Sequence, residues 1–175
     1  MATIKVLRLE HRPSRDKRIT THLMLAARAL GASGAIYTGV KDDLLEKKIL
    51  EVNSNWGGRF QISFAEDWAK VIQEWRKHGK VVHLTMYGVP VKDVIEEIKR
   101  NESDKLVVVG GAKVPREVFD MVDWNISITS QPHSEVSALA IFLHELYNGR
   151  ELNLTFKQAK LTIIPQERGK KILRA

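Results

Sequence analysis

Arg12, Arg15 and Arg18 recur at every third position in the segment His11-Arg12-Pro13-Ser14-Arg15-Asp16-Lys17-Arg18-Ile19-Thr20-Thr21-His22. A guanidinium is planar, permanently charged and able to hold two phosphate oxygens at once, so this cluster is suited to gripping a nucleic-acid backbone. The plainer use is a solvated loop in which Asp16 pairs locally. A second constellation is the glycine pair of Leu106-Val107-Val108-Val109-Gly110-Gly111-Ala112-Lys113-Val114-Pro115. Glycines directly after an apolar run let backbone approach a ligand closely or take positive φ, although an ordinary strand-to-helix turn also uses them. A third is Ile128-Thr129-Ser130-Gln131-Pro132-His133-Ser134-Glu135, in which Ser134 is also a candidate N-cap. A fourth is His83-Leu84-Thr85, running into Met86-Tyr87-Gly88. The last three all sit at strand ends, and the carboxyl ends of parallel strands are where α/β proteins bind ligands.

The elements that must position these residues follow from periodicity. Short β-branched runs predict strands at Ile4–Leu9, Ala35–Tyr37, Phe60–Phe64, Val81–Thr85, Lys105–Val109 and Asn125–Ile128. Helical spacing predicts helices at Thr21–Leu30, Glu66–His78, Pro90–Arg100 and Ser134–Tyr147. The first is expected to start from Thr20 or Thr21 as N-cap and stop at Gly31, leaving the basic segment as a loop. Gly79 is expected just past the second helix, and Pro90 at the first position of the third. Alternation of this kind predicts an α/β fold with a mostly parallel sheet flanked by helices. Residues 1–150 read as one domain. Beyond it, Leu152–Phe156 and Leu161–Ile164 are expected to pair as a β-hairpin, with a basic tail to 175.

Composition narrows the function. The chain has 175 residues, 43% of them hydrophobic, no cysteine and a net charge of +7. Residues 11–22 hold four Lys/Arg against one acid, and residues 157–175 hold six against one, so these two segments carry more than the whole net charge. Concentrated positive charge suits a polyanionic partner. Without cysteine there is no disulfide frame or thiolate zinc site, and the expected location is a reducing cytoplasm. The six histidines lack metal-ligand spacing, so no metal is expected. No apolar run reaches the roughly 20 residues of a membrane helix, and no membrane partner is expected. The first strand is followed by Glu10-His11-Arg12-Pro13, without the glycine turn of a Rossmann dinucleotide site, and there is no phosphate-binding loop of the Walker type.

HRPSRDKRITTH followed by ARALGA, then VVVGGAKVP, then ITSQPHSEVSALAIFL resembles the archaeal tRNA (cytidine 2'-O)-methyltransferases that act on the T-loop cytidine at tRNA position 56. These belong to the SPOUT class, which resembles the SpoU-type ribose methyltransferases. The resemblance runs from Leu7 to about Tyr147. It implies a C-terminal trefoil knot whose loops bind S-adenosylmethionine. In this chain those loops are Leu84, Gly110, Gly111, Ala112, Lys113 and Val114, and the stretch Ile128, Thr129, Ser130, Gln131, Pro132, His133, Ser134 and Glu135. It also implies a tRNA substrate and a homodimer, with the apolar face of residues 134–147 serving partly as the dimer surface. SpoU-type enzymes carry an arginine six residues before the glycine that ends the first helix. Counting back from Gly31 gives Leu25, so an arginine of the basic segment must take that role.

On this reading Arg18 or Arg15 is expected to hydrogen-bond the developing 2'-alkoxide or its 3'-phosphate, and His11, Arg12, Lys17 and His22 are expected to grip the tRNA. His133 is a candidate proton acceptor or a helix-start packing residue. Two other readings stand beside this one: a knotted methyltransferase with another tRNA or an rRNA target, and an RNA-binding module of the same fold without catalysis.

Overall fold

The computed structural model describes residues 2–111 and 113–175, with Lys17 described by its backbone alone. Six parallel strands form one sheet: β1 (Ile4–His11), β2 (Gly34–Gly39), β3 (Gln61–Phe64), β4 (Gly79–Pro90), β5 (Asp104–Val109) and β6 (Trp124–Ser127). Their order across the sheet is β3-β2-β1-β5-β4-β6. The helices are α1 (Pro13–Ala29), α2 (Asp43–Trp56), α3 (Trp68–Trp75), α4 (Val91–Arg100), α5 (Arg116–Met121) and α6 (Glu135–Tyr147). The middle strands are nearly continuous apolar runs because helices cover both sheet faces. Val6, Val82, Val107 and Val109 pack with α1, α2, α4 and α6 on one face. Leu7, Leu9, Val81, Leu106 and Val108 pack with α3 and α5 on the other.

All six expected strands are present, but several boundaries differ for identifiable reasons. Helix α1 begins at Pro13, so most of the basic segment is helical and not a loop. Proline is favoured at a first helical position, where its missing N–H removes nothing from the ladder. Arg12 stands at the N-cap in extended conformation, and Thr20, expected as a cap, is fully buried mid-helix with its Oγ1 2.9 Å from His11 Nδ1. Gly31 does follow α1 with φ of 93°. Pro90 is the N-cap of α4, one place earlier than expected, and Gly79 opens β4 instead of terminating α3. Helices α2 and α5 add to the four read from sequence.

The C-terminal region departs further. Residues 150–153 form a 3-10 turn, and the hairpin pairs β7 (Leu161–Ile164) with β8 (Lys171–Arg174), not with residues 152–156. The segment 156–159 is instead held against the turn after α2. Gly58 N–H donates to the Lys157 carbonyl at 3.0 Å, and the Arg28 guanidinium lies 4.6 Å over the Phe156 ring.

Strand β4 has a further peculiarity. Ile126 of β6 pairs with both Leu84 and Val89, so residues 85–88 bulge out and the chain returns to the same neighbour. Gly88 permits the return, since a Cβ there would lie 2.5 Å from the Asn125 carbonyl oxygen. Because backbone cannot move aside as a flexible side chain can, Gly88→Ala is expected to lower the unfolding free energy by about 1–3 kcal/mol, measured by urea titration. An unchanged midpoint would show that the return of β4 tolerates a side chain.

Candidate functional site

The C-terminal ends of β1 and β5 and the bulged middle of β4, with the segments that follow β5 and β6, meet around a cavity of about 710 Å³. This falls in the range of about 300–1,000 Å³ usual for small-molecule sites. Leu84 to Tyr87 contribute from β4, Gly110, Gly111, Lys113 and Val114 from the turn after β5, and Ile128, His133 and Glu135 from the approach to α6. Arg8, Arg12 and Arg15 enter from the end of β1 and the start of α1. The three strand ends singled out from sequence therefore converge, and the basic segment lies beside them.

Not every expected residue reaches the cavity. Thr129, Ser130, Gln131 and Pro132 are exposed and do not line it. Thr129 Oγ1 closes its own turn onto the Gln131 N–H, and Ser134 caps α6 by accepting from the Val136 N–H at 3.1 Å. Ala112 lies outside the described residues. Neither Gly110 nor Gly111 has positive φ. Gly110 is required because a Cβ would strike the Val114 side chain, whereas Gly111 leaves the backbone bare above the Arg8 guanidinium.

The arginines divide by position. Pro13 at the helix start puts Arg15, Arg18 and His22 at i, i+3 and i+7, on one stripe of α1. Arg15 lines the cavity, while Arg18 and His22 are exposed beyond it. Arg12 is committed to Asp16, with Nε 2.9 Å from Oδ2. Burial works against a charge on Asp16, but the Arg12 hydrogen bond and charge outweigh it and hold this carboxyl below its usual range. His11, expected at the RNA surface, is fully buried, its ring nitrogens 2.9 Å from Thr20 Oγ1 and 3.3 Å from Asp42 Oδ2. A sealed imidazole with both nitrogens engaged takes no part in a surface contact. The Lys17 side chain lies outside the described residues.

Two buried polar groups at the cavity were not singled out from sequence for what they do. Arg8 is 1% exposed, donates from Nη1 to the Gly110 carbonyl, and places Nη1 3.6 Å from Glu135 Oε1. Its Nε has no partner among the described residues. Desolvation pulls its pKa down, with Glu135 and Asp16 opposing. The signal was available, since an arginine in the apolar run Ile4-Lys5-Val6-Leu7-Arg8-Leu9 places a charge in a strand covered on both faces, where it needs a partner. His83 is also fully buried, on the opposite sheet face, in an edge-on contact with Phe119 at 4.8 Å. Asn125 Nδ2 donates to the Phe119 carbonyl, so Asn125 Oδ1 must accept from His83 Nδ1 at 2.8 Å. This fixes the tautomer with Nε2 as the unprotonated nitrogen, and that atom has no partner among the described residues.

The family model described as "tRNA ribose 2'-O-methyltransferase, aTrm56" matches residues 56–173. A tRNA (cytidine(56)-2'-O)-methyltransferase of Methanothermobacter thermautotrophicus is 52% identical over 168 residues, covering 95% of this chain and 94% of that protein. One of the same name from Thermococcus kodakarensis is 51% identical over 173 residues, covering 97% and 96%. The chain belongs to this family. Among solved structures, the TrmH/SpoU tRNA modifying enzyme of A. aeolicus superposes with a TM-score of 0.65 at 15% identity, covering 87% of this chain and 77% of that one. The SpoU methyltransferase AviRb of Streptomyces viridochromogenes, solved with AdoMet, superposes at 0.60 and 19%, covering 85% and 58%. The SPOUT-type α/β fold expected from the sequence is thus the fold of this family member.

Two outcomes are expected. In the folded chain burial lowers the His83 pKa below its ordinary 6.5. As pH falls below 6.5 the unfolded chain takes up a proton that the folded chain resists, so this contribution is complete above 6.5 and is lost toward the lower folded value. Urea unfolding across that window should show a fall in stability for the wild type that His83→Gln lacks. For the Arg8 pair, Glu135→Gln is expected to cost about 1–3 kcal/mol by weakening the partner of a buried charge. A cycle with Arg8→Met should give a coupling of about 1 kcal/mol or more. Additive losses would mean the two charges do not interact.

Proposed function

We propose that this chain transfers a methyl group from S-adenosylmethionine to the ribose 2'-hydroxyl of cytidine 56 in tRNA. The observation that carries the reading is the convergence of the β4 bulge and the turns after β5 and β6 beside Arg15 on α1. Membership of the family supports the substrate.

The residues present fit the methyl donor. Gly110 and Gly111 leave bare backbone at the cavity wall, and Leu84, Val114 and Ile128 supply apolar surface. When bound, S-adenosylmethionine supplies an electrophilic methyl group already activated on a sulfonium. The remaining difficulty is the nucleophile, because a ribose hydroxyl must lose its proton as it attacks. Orientation beside the donor can contribute on the order of 7–11 kcal/mol.

Arginine is a poor proton acceptor, since its guanidinium stays charged at neutral pH. Arg15 instead donates hydrogen bonds to the developing 2'-alkoxide or the adjoining phosphate. It suits this role because it reaches the cavity and no carboxylate lies within ion-pairing distance among the described residues. Arg18 lies three residues further along the helix, roughly 4.5 Å of axial rise away, and grips the RNA with His22. Lys17 is a further candidate for that grip. Arg12 contributes mainly by holding Asp16. His133 lines the cavity and is exposed, so it is the candidate proton acceptor.

We also infer the knot and the homodimer. The double pairing of β6 with β4 supports a threaded chain. The apolar face of α6, expected to meet a partner, is largely spent inside this chain, with Leu139, Phe142 and Leu143 fully buried. Ile141 on α6, Tyr87 at the cavity and Val89 on β4 remain exposed and support a partner surface. Among the described residues no helix is long and apolar enough to cross a membrane, and the enzyme works with its tRNA in the cytoplasm.

Arg15→Ala should lower kcat by about 10²–10³-fold while S-adenosylmethionine affinity, measured by titration calorimetry, is retained. Arg18→Ala should chiefly raise KM for tRNA. Nucleoside mass analysis should find 2'-O-methylcytidine. A methyl group on a base, or no saturable heat with S-adenosylmethionine, would favour the other acceptor or the non-catalytic reading.

A further inference from the structure

The ribbon of β7 and β8 projects from the fold and is nearly undefended by it. Residues 165–175 are all exposed, and its root is held by the Gly58–Lys157 backbone bond and a 3.0 Å hydrogen bond from Lys160 Nζ to Ser54 Oγ. Two-stranded ribbons on their own are marginally stable, so an ordered one of this kind is a contact element more than a source of stability. The cavity does not use it. Helix α2 starts beside the carboxyl end of β2 and its 14 residues carry the chain about 21 Å away. The ribbon is therefore rooted toward the amino ends of the strands, away from the cavity.

Its charge is one-sided. Lys157, Lys160, Arg168, Lys170, Lys171 and Arg174 stand against Glu167 alone in residues 157–175. All six cations are exposed, and none has a carboxylate within ion-pairing distance among the described residues. Elsewhere in the chain exposed lysines do find acids, as Lys41 finds Asp43 and Lys77 finds Glu74. The register places the cations on both faces, since Lys171 pairs across from Ile164 and Arg174 from Leu161. Lys170 and Arg168 occupy the turn. A strip charged on both faces and at its tip suits a backbone of phosphates that passes around it.

We propose that this ribbon is an RNA-binding arm that holds the sugar-phosphate backbone of the tRNA at a place separate from the reacting nucleotide. The inference rests on the methyltransferase reading above and extends it to a second contact region. The ribbon also exposes Ile163, Ile172 and Leu173 by half or more, which is the surface a protein partner would use. Charge decides between them. A second copy presenting its own ribbon would bring like charges together, whereas RNA supplies the missing anions.

The test compares wild type with the variant Arg168→Gln/Lys170→Gln/Lys171→Gln/Arg174→Gln in binding unmodified tRNA over a series of KCl concentrations. All four side chains are exposed, and circular dichroism and S-adenosylmethionine titration check that fold and cavity are intact. Each phosphate that the variant no longer neutralises should flatten the log–log salt slope by about 0.7–0.9. The variant should therefore show a slope shallower by roughly 2 or more, a KM for tRNA raised roughly tenfold and an unchanged kcat at saturating tRNA. A variant with wild-type slope and KM overturns the proposal. So does a result in which only Ile163→Asn/Ile172→Asn has an effect, and that effect is on sedimentation of the protein alone, which would make the ribbon a contact between copies. Failure of the wild type itself to methylate or bind tRNA would refute the underlying reading, whereas normal wild-type activity with an indifferent variant refutes the arm alone.

Discussion

A guanidinium sealed inside a parallel sheet must be compensated, and the way Arg8 is compensated organises the cavity. It comes from β1, donates to the carbonyl of Gly110 after β5 and faces Glu135 at the start of α6. Three segments far apart in sequence are thereby tied at one point. Leaving the charge unpaired would cost several kcal/mol, so separation of these segments is opposed by electrostatics as well as by packing. The glycine pair belongs to the same arrangement. A side chain at Gly110 would strike Val114, and at Gly111 the bare backbone lies over the guanidinium beneath.

On the other sheet face a neutral counterpart secures the same loop from below. His83 donates to Asn125, Asn125 donates to the Phe119 carbonyl, and Phe119 stacks edge-on against His83. Because α5 directly follows the turn after β5, holding α5 against β4 and β6 limits where that turn can go. One face therefore uses charge and the other a directed chain of neutral hydrogen bonds. The doubled contact of Ile126 with Leu84 and Val89 closes the arrangement from the β4 side.

Outside this centre the arginines have separate duties. Arg12 spends its charge on Asp16, Arg15 is left facing the cavity, and Arg18 is exposed beyond it. Equal spacing in sequence thus conceals unequal availability. The difference arises from which way the first turn of α1 points each side chain, and that depends on Pro13 starting the helix.

Much of this was legible without coordinates. The apolar runs determined the six strands, because a strand covered on both faces must be apolar along its length. The position of Gly110-Gly111 and of residues 128–135 after such runs marked the edge where the cavity lies. The motifs were enough to recognise the family. Tertiary structure alone decided what depended on partners distant in sequence. Arg8 and Glu135 are 127 positions apart and nothing local signals their pairing. Thr20 resembled a cap until β1 brought His11 over it, and Leu152–Phe156 resembled a strand, but its first residues close a 3-10 turn and Phe156 at its end packs on the glycine turn after α2. Side-chain type and spacing set what a segment can do, but burial and pairing are assigned only when the chain closes on itself.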